Sequence, residues 1–114
     1  MFQVVFYKSK AGKQPVLEWL RGLDEADRRI IGSDLRTVQI GFPLGMPLCR
    51  SLGSQLWELR TNLSSRREAR LIFFQYGVKL VIVGGFMKKT QKTPERELEI
   101  ARKRKEEHEE NAPF

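Results

Sequence analysis

The sequence predicts one α+β domain of order β-α-α-β-β-β-α, with a mostly antiparallel sheet and helices gathered on one face. Three observations predict it. An apolar, aromatic run opens the chain at residues 2–7, helical periodicity occupies the next third, and three strand-like runs punctuated by turn residues fill positions 56–86. At 114 residues there is room for a single core, taken as residues 1–110 with 111–114 as a flexible tail. Hydrophobic residues make up 40%, a globular rather than a disordered composition.

Each element follows from its residues. Positions 2–7 (FQVVFY) are β-branched and aromatic, so they read as a first strand, and 8–13 with Gly12 as a loop. Pro15 suits the first position of a short helix carrying Val16, Leu17, Trp19 and Leu20 and stopping at Gly22. Asp24 is placed to cap a second helix, with Asp27 three residues on and apolar positions at Ile30, Ile31, Leu35 and Val38. Gly41, Phe42, Pro43, Gly45 and Pro47 end it in a rigid loop that Gly53 extends.

Residues 56–61 alternate, Trp57 and Leu59 against Glu58 and Arg60. Residues 66–75 turn apolar at Leu71, Ile72, Phe73 and Phe74, and Tyr76-Gly77 suits a tight turn. Residues 78–86 are almost wholly apolar around 80–83, as in a strand covered on both faces. Thr93-Pro94-Glu95 then starts a last helix with a hydroxyl cap. That helix is nearly all charged, so docking is expected through Leu98, Ile100 and Ala101 only, with 102–110 a solvated face.

The charge is uneven. Lys and Arg number 21 against 14 Asp and Glu, a net of +7. Residues 50–92 hold 9 of the basic and 2 of the acidic side chains, so this segment alone accounts for a net of +7, while the flanks cancel. Charge that served solubility alone would be spread, so the concentration points to a polyanionic partner.

Several function classes fall away. Cys49 is the single cysteine, which excludes an internal disulfide, and no Cys/His cluster offers a structural zinc site. His108, the single histidine, sits in a charged run. Any enzyme here works without a Ser-His-Asp triad, a Cys-His pair or a His-ligated metal, and no metal or cofactor is expected. The apolar run at 80–87 is too short to cross a bilayer, and the start carries no signal-peptide pattern. The expectation is a cytoplasmic protein with no membrane partner.

The strand register converts the basic segment into a constellation. Arg60 and Arg70 lie near the same end of an antiparallel pair, and the next strand returns there with Lys88, Lys89 and Lys92. Glu58 shares a face with Arg60. Such a gathering of like charge is offset most simply by an anionic ligand, and the guanidinium fork suits phosphate. Blander readings stand beside this one. Lys88 and Lys89 also suit an edge-strand guard, Arg66 and Arg67 a solvated loop tip, and Trp19 and Trp57 core anchors.

The motifs Leu56-Trp57-Glu58-Leu59-Arg60, Arg70-Leu71-Ile72-Phe73-Phe74, Gly85-Phe86-Met87-Lys88-Lys89-Thr90-Gln91-Lys92-Thr93-Pro94 and Glu99-Ile100-Ala101 resemble the phage-derived, HigB-like branch of the RelE/ParE toxin superfamily. The similarity spans roughly residues 2–105. The resemblance implies a RelE-like fold and the toxin of a type II toxin-antitoxin system. It further implies an endoribonuclease that cuts mRNA on the ribosome without metal, held in check by a helix-turn-helix, HigA-like antitoxin. By position it makes Arg70 the stabiliser of transition-state charge, Lys88 and Lys89 the basic strand exit, Arg60 a second cation, and Glu58 a base or an orienter of Arg60. Arg50, Arg66, Arg67 and Lys92 are the candidate RNA contacts around them. Where relatives carry a Tyr or His, this chain has Thr93-Pro94-Glu95.

Overall fold

A computed structural model of the chain describes residues 1–111, the side chain of Ser65 apart. The tail expected at 111–114 lies outside those residues from position 112 onward. The elements are β1 (Gln3–Phe6), α1 (Pro15–Arg21), α2 (Glu25–Gly41), β2 (Cys49–Gly53), β3 (Leu56–Asn62), β4 (Glu68–Tyr76), β5 (Lys79–Met87) and α3 (Glu95–Asn111), with a 3-10 turn at Ser64–Arg66. They form an α+β fold around one five-stranded sheet of order β1-β5-β4-β3-β2. Only β1 runs parallel to its neighbour; the other pairs are antiparallel.

The sheet has one strand more than expected. Residues 49–53, read as loop, form β2, which pairs with β3 as an edge strand. CRSLG has neither β-branched residues nor apolar alternation, so no strand signal exists there. Its hairpin turns through Ser54 and Gln55 at φ 52 and 65 instead of an Asn-Gly pair. Gly77, at φ 61, makes the expected turn between β4 and β5.

Alternation along β4 and β5 divides the core in two. Leu71, Phe73, Leu80 and Ile82 face α1 and α2 with Val16, Ile31 and Val38. Ile72, Phe74, Val81 and Val83 face the other way, toward Ala101 of α3 and Tyr7. The expectation of helices on one face therefore holds for α1 and α2 alone; α3 covers the opposite face. A nearly continuous apolar run on β5 is what burial on both sides requires.

The α3 helix also docks further along than its composition suggests. Its inward stripe runs Leu98, Ala101, Arg104, Lys105, His108, the i, i+3, i+4 spacing of one helical face. The Arg104 guanidinium donates to the Val83 carbonyl at 2.8 Å and lies over the Tyr7 ring, Lys105 lies over Phe74, and the Tyr7 hydroxyl donates to Glu107. Long charged side chains bury their stems and keep their heads paired, so a charged sequence can still dock.

Candidate functional site

Two groups of charged side chains occupy the end of the sheet where β3 ends, β4 begins and β5 leaves. One is buried. Register sets Arg60 of β3 opposite Arg70 of β4, on the face covered by α3 and by the segment leading into it. Arg70 is almost wholly buried, its side chain 1% exposed, and Glu58 is at 0%. Arg70 donates from Nε to Glu68 Oε2 at 2.8 Å and from Nη2 to the Gln91 carbonyl at 3.1 Å. Arg60 donates from Nε to Glu58 Oε1 at 3.0 Å, and the Thr93 hydroxyl donates to Glu58 Oε2 at 2.6 Å.

The network balances two guanidinium charges against two carboxylates. Pairing of this kind offsets the desolvation that isolated buried charges would suffer. Its balance is electrostatic only: Arg60 Nη2 and Arg70 Nη1 are buried with no acceptor.

The second group is open. A cleft of about 400 Å³ is lined by Asn62, Leu63, Arg66, Arg67, Glu68, Lys88 and Lys89. Here Arg67 is already engaged. Its fork donates to both oxygens of the buried Asp27 on α2, at 2.9 and 3.0 Å, and those hydrogen bonds hold its guanidinium still more firmly protonated. Asp27, expected to assist at the start of α2, instead ties α2 to the rim of the cleft. Asp24 takes the N-cap position without a side-chain cap bond. The side chains of Arg66, Lys88 and Lys89 carry no hydrogen bond or ion pair among the described residues. Arg66 adopts φ 59 at the loop tip, a left-handed conformation that a non-glycine residue seldom takes.

The sequence-derived cluster thus divides. Arg66, Lys88 and Lys89 come together as free cations in the cleft, and Arg60, Arg70 and Glu58 come together beneath it. Arg67 belongs to the cleft wall but spends its fork on Asp27. Arg50 is exposed on β2, in register with Glu58, and Lys92 is exposed beyond β5; neither lines the cleft. Three further participants carried weaker signals. Glu68 stands two residues before Arg70 and so on the same strand face, which alternation could have shown. Thr93 reads as a helix cap, yet α3 starts at Glu95 with Pro94 accepting its first bonds, and the hydroxyl serves Glu58. Asp27 is 40 positions from Arg67, beyond local pattern. Trp19 and Trp57 pack against the core, as the blander reading had it.

Chemically, the cleft offers three unpaired cations and a single lining carboxylate, Glu68, with no aromatic ring among its walls. It can grip phosphate oxygens and has no platform on which to stack a base. Among the described residues, no three His, Cys, Asp or Glu side chains gather as metal ligands would. No helix among them is long and apolar enough to cross a membrane.

The fold and the site together define a small α+β protein with an open cationic cleft at one end of its sheet. A family model described as "Phage derived protein Gp49-like (DUF891)" matches residues 18–106, which include every element from α2 to β5 and all the residues of the cleft. The chain belongs to this Gp49-like family, a RelE-like, toxin-type family of toxin-antitoxin systems. No curated protein matches the chain.

Proposed function

We propose that this protein is the toxin of a type II toxin-antitoxin pair, of the HigB-like branch, and that it cuts mRNA. The observation that carries this reading is the open cleft, where Arg66, Lys88 and Lys89 stand unpaired around Glu68. In the reaction proposed, an RNA 2′-hydroxyl attacks the adjacent phosphorus. The O2′–P bond forms and the P–O5′ bond breaks, leaving a 2′,3′-cyclic phosphate and a 5′-hydroxyl. Glu68 takes the proton of the attacking hydroxyl through Oε1, the oxygen that Arg70 leaves free. Lys88 or Lys89 supplies the proton to the leaving oxygen, and the cations balance the charge that builds on the phosphorane. Glu58 has both oxygens occupied and no exposure, so it holds Arg60 and Thr93 in place. The ribosome would present the RNA already extended, which a cleft without stacking rings requires. The partner that silences the toxin is a helix-turn-helix, HigA-like antitoxin.

The test is inducible expression in a bacterial host with mapping of mRNA 5′ ends. Growth arrest and discrete cuts with 5′-hydroxyl ends are expected. Both should disappear in Glu68→Gln and in a Lys88→Ala/Lys89→Ala pair, whose side chains are not part of the core. Arg70→Ala is a poor probe, because it strips two carboxylates of a buried partner and costs about 3–5 kcal/mol of stability. A folded Glu68→Gln protein that cuts as well as the parent would remove the assigned base. Absence of any cut, with RNA binding that falls in equal steps across the cleft cations, would replace the nuclease by a nucleic-acid-binding module of the same fold.

A further inference from the structure

The geometry points to a second phosphate subsite, lined by Arg60 and Arg70 and roofed by residues 89–93, which must lift before the subsite fills. This inference rests on the reading of the cleft as an RNA site and extends it inward.

The argument begins with how Arg70 is held. Glu68 takes the Nε proton at 2.8 Å, which orients the guanidinium edge-on and leaves both Nη atoms directed elsewhere. Nη2 meets the main-chain carbonyl of Gln91, and Nη1 is buried with no acceptor. An arginine fork presents two parallel donors that match two oxygens of one phosphate. Here a single neutral carbonyl satisfies one of the two. Across the strand pair Arg60 is in the same condition, with Nε on Glu58 and a buried Nη2 that has no acceptor. Two adjacent guanidinium groups, each anchored through Nε by its own carboxylate and each with an orphaned Nη, are complementary to an anion.

The cover is slight and well hinged. Lys88 remains in the sheet, its backbone N–H donating to the Glu68 carbonyl, and the Pro94 carbonyl accepts the first hydrogen bonds of α3. Between them, residues 89–92 are exposed and Thr93 is buried. Two hydrogen bonds tie this strap to the network: Gln91 carbonyl to Arg70, and Thr93 hydroxyl to Glu58. A phosphodiester entering from the cleft beside Glu68 would replace the carbonyl on Arg70, and the strap would swing out about Lys89, carrying Lys92. The resting protein is then closed, and its apparent affinity for RNA is reduced by the fraction of time the strap is open.

Thr93 is the latch to remove. A noncleavable single-stranded RNA, 2′-O-methylated throughout, serves as probe in anisotropy titrations, with amide hydrogen exchange reporting on 89–92. Thr93→Val should raise exchange at 89–92 and tighten RNA binding by about tenfold, the effect of losing one hydrogen bond to a charged group; Thr93→Ser should restore the parent values. Binding by a folded Thr93→Val protein that is unchanged or weaker would overturn the proposal. If that variant does not fold, the parent protein decides alone: RNA should deprotect 89–92, and protection that stays level or increases would refute the strap. RNA bound through Arg66, Lys88 and Lys89 with a protected strap sinks this inference and spares the toxin reading. A parent protein that binds no RNA at low salt, its strap opening with pyrophosphate instead, sinks the toxin reading and spares the subsite.

Discussion

Gly85 shows how closely single residues are fitted around the site. It lies on β5, opposite Leu71, and α1 rests directly on it. A Cβ there would stand 2.9 Å from Trp19 Cε3, closer than real side chains approach, and 3.0 Å from Val16 Cγ1, tighter than nearly all of them. Gly85→Ala is therefore expected to cost about 1–3 kcal/mol, read as a lower urea midpoint at constant slope. Gly84, whose Cβ would meet Ile72 at 3.3 Å, should be affected less. Residue by residue, the site was partly legible. Counting along three strands is enough to bring Arg60, Arg70 and Lys88 to one end, because alternation and antiparallel return depend on sequence alone. Which of those cations is buried and which is free depends on the roof at 89–93 and on the distant Asp27. No local pattern encodes either.

At the scale of elements, α3 repays attention because its docking depends on ionisable groups. His108 packs edge-on against Phe74 and Tyr76, with ring centroids 5.8 and 5.1 Å away. Burial chiefly, and the Lys79 charge on β5 secondarily, lower its pKa below the ordinary 6.5, against a smaller opposing pull from Glu109. The folded imidazole resists a proton that the unfolded one accepts. Its contribution to stability is thus complete above about pH 6.5 and is lost as the pH falls toward the lowered folded value. The urea midpoint should decline as the pH falls below about 6.5, and His108→Phe should flatten that decline. Sequence periodicity located α1, α2 and the long strands because apolar residues mark their inward faces. It did not locate the full contact of α3, whose inward face is built from Arg104, Lys105 and His108. It missed β2 for the related reason that an edge strand without apolar alternation leaves no trace.

For the molecule as a whole, the charge distribution predicts a salt dependence. Three free cations in the cleft, each displacing counterions from a single-stranded polyanion, give a slope of about −2 in log affinity against log salt concentration. Removing Lys88, Lys89 or Arg66 should each reduce that slope by about 0.7, whereas Arg67→Ala, already paired with Asp27, should change it little. Titrations of RNA at several potassium chloride concentrations would read these slopes directly. The mixed sheet has a further consequence, in the order of events during synthesis. β1 finds its only strand partner in β5, some 76 positions later, so the first strand leaves the ribosome long before its mate exists. α3, which closes the second face, follows later still. Until then the face of the sheet opposite α1 and α2 lies uncovered. The finished cleft, with the roof that α3 anchors, forms among the last features of the fold. Such a chain assembles its cationic cleft only after β5 and the start of α3 have emerged.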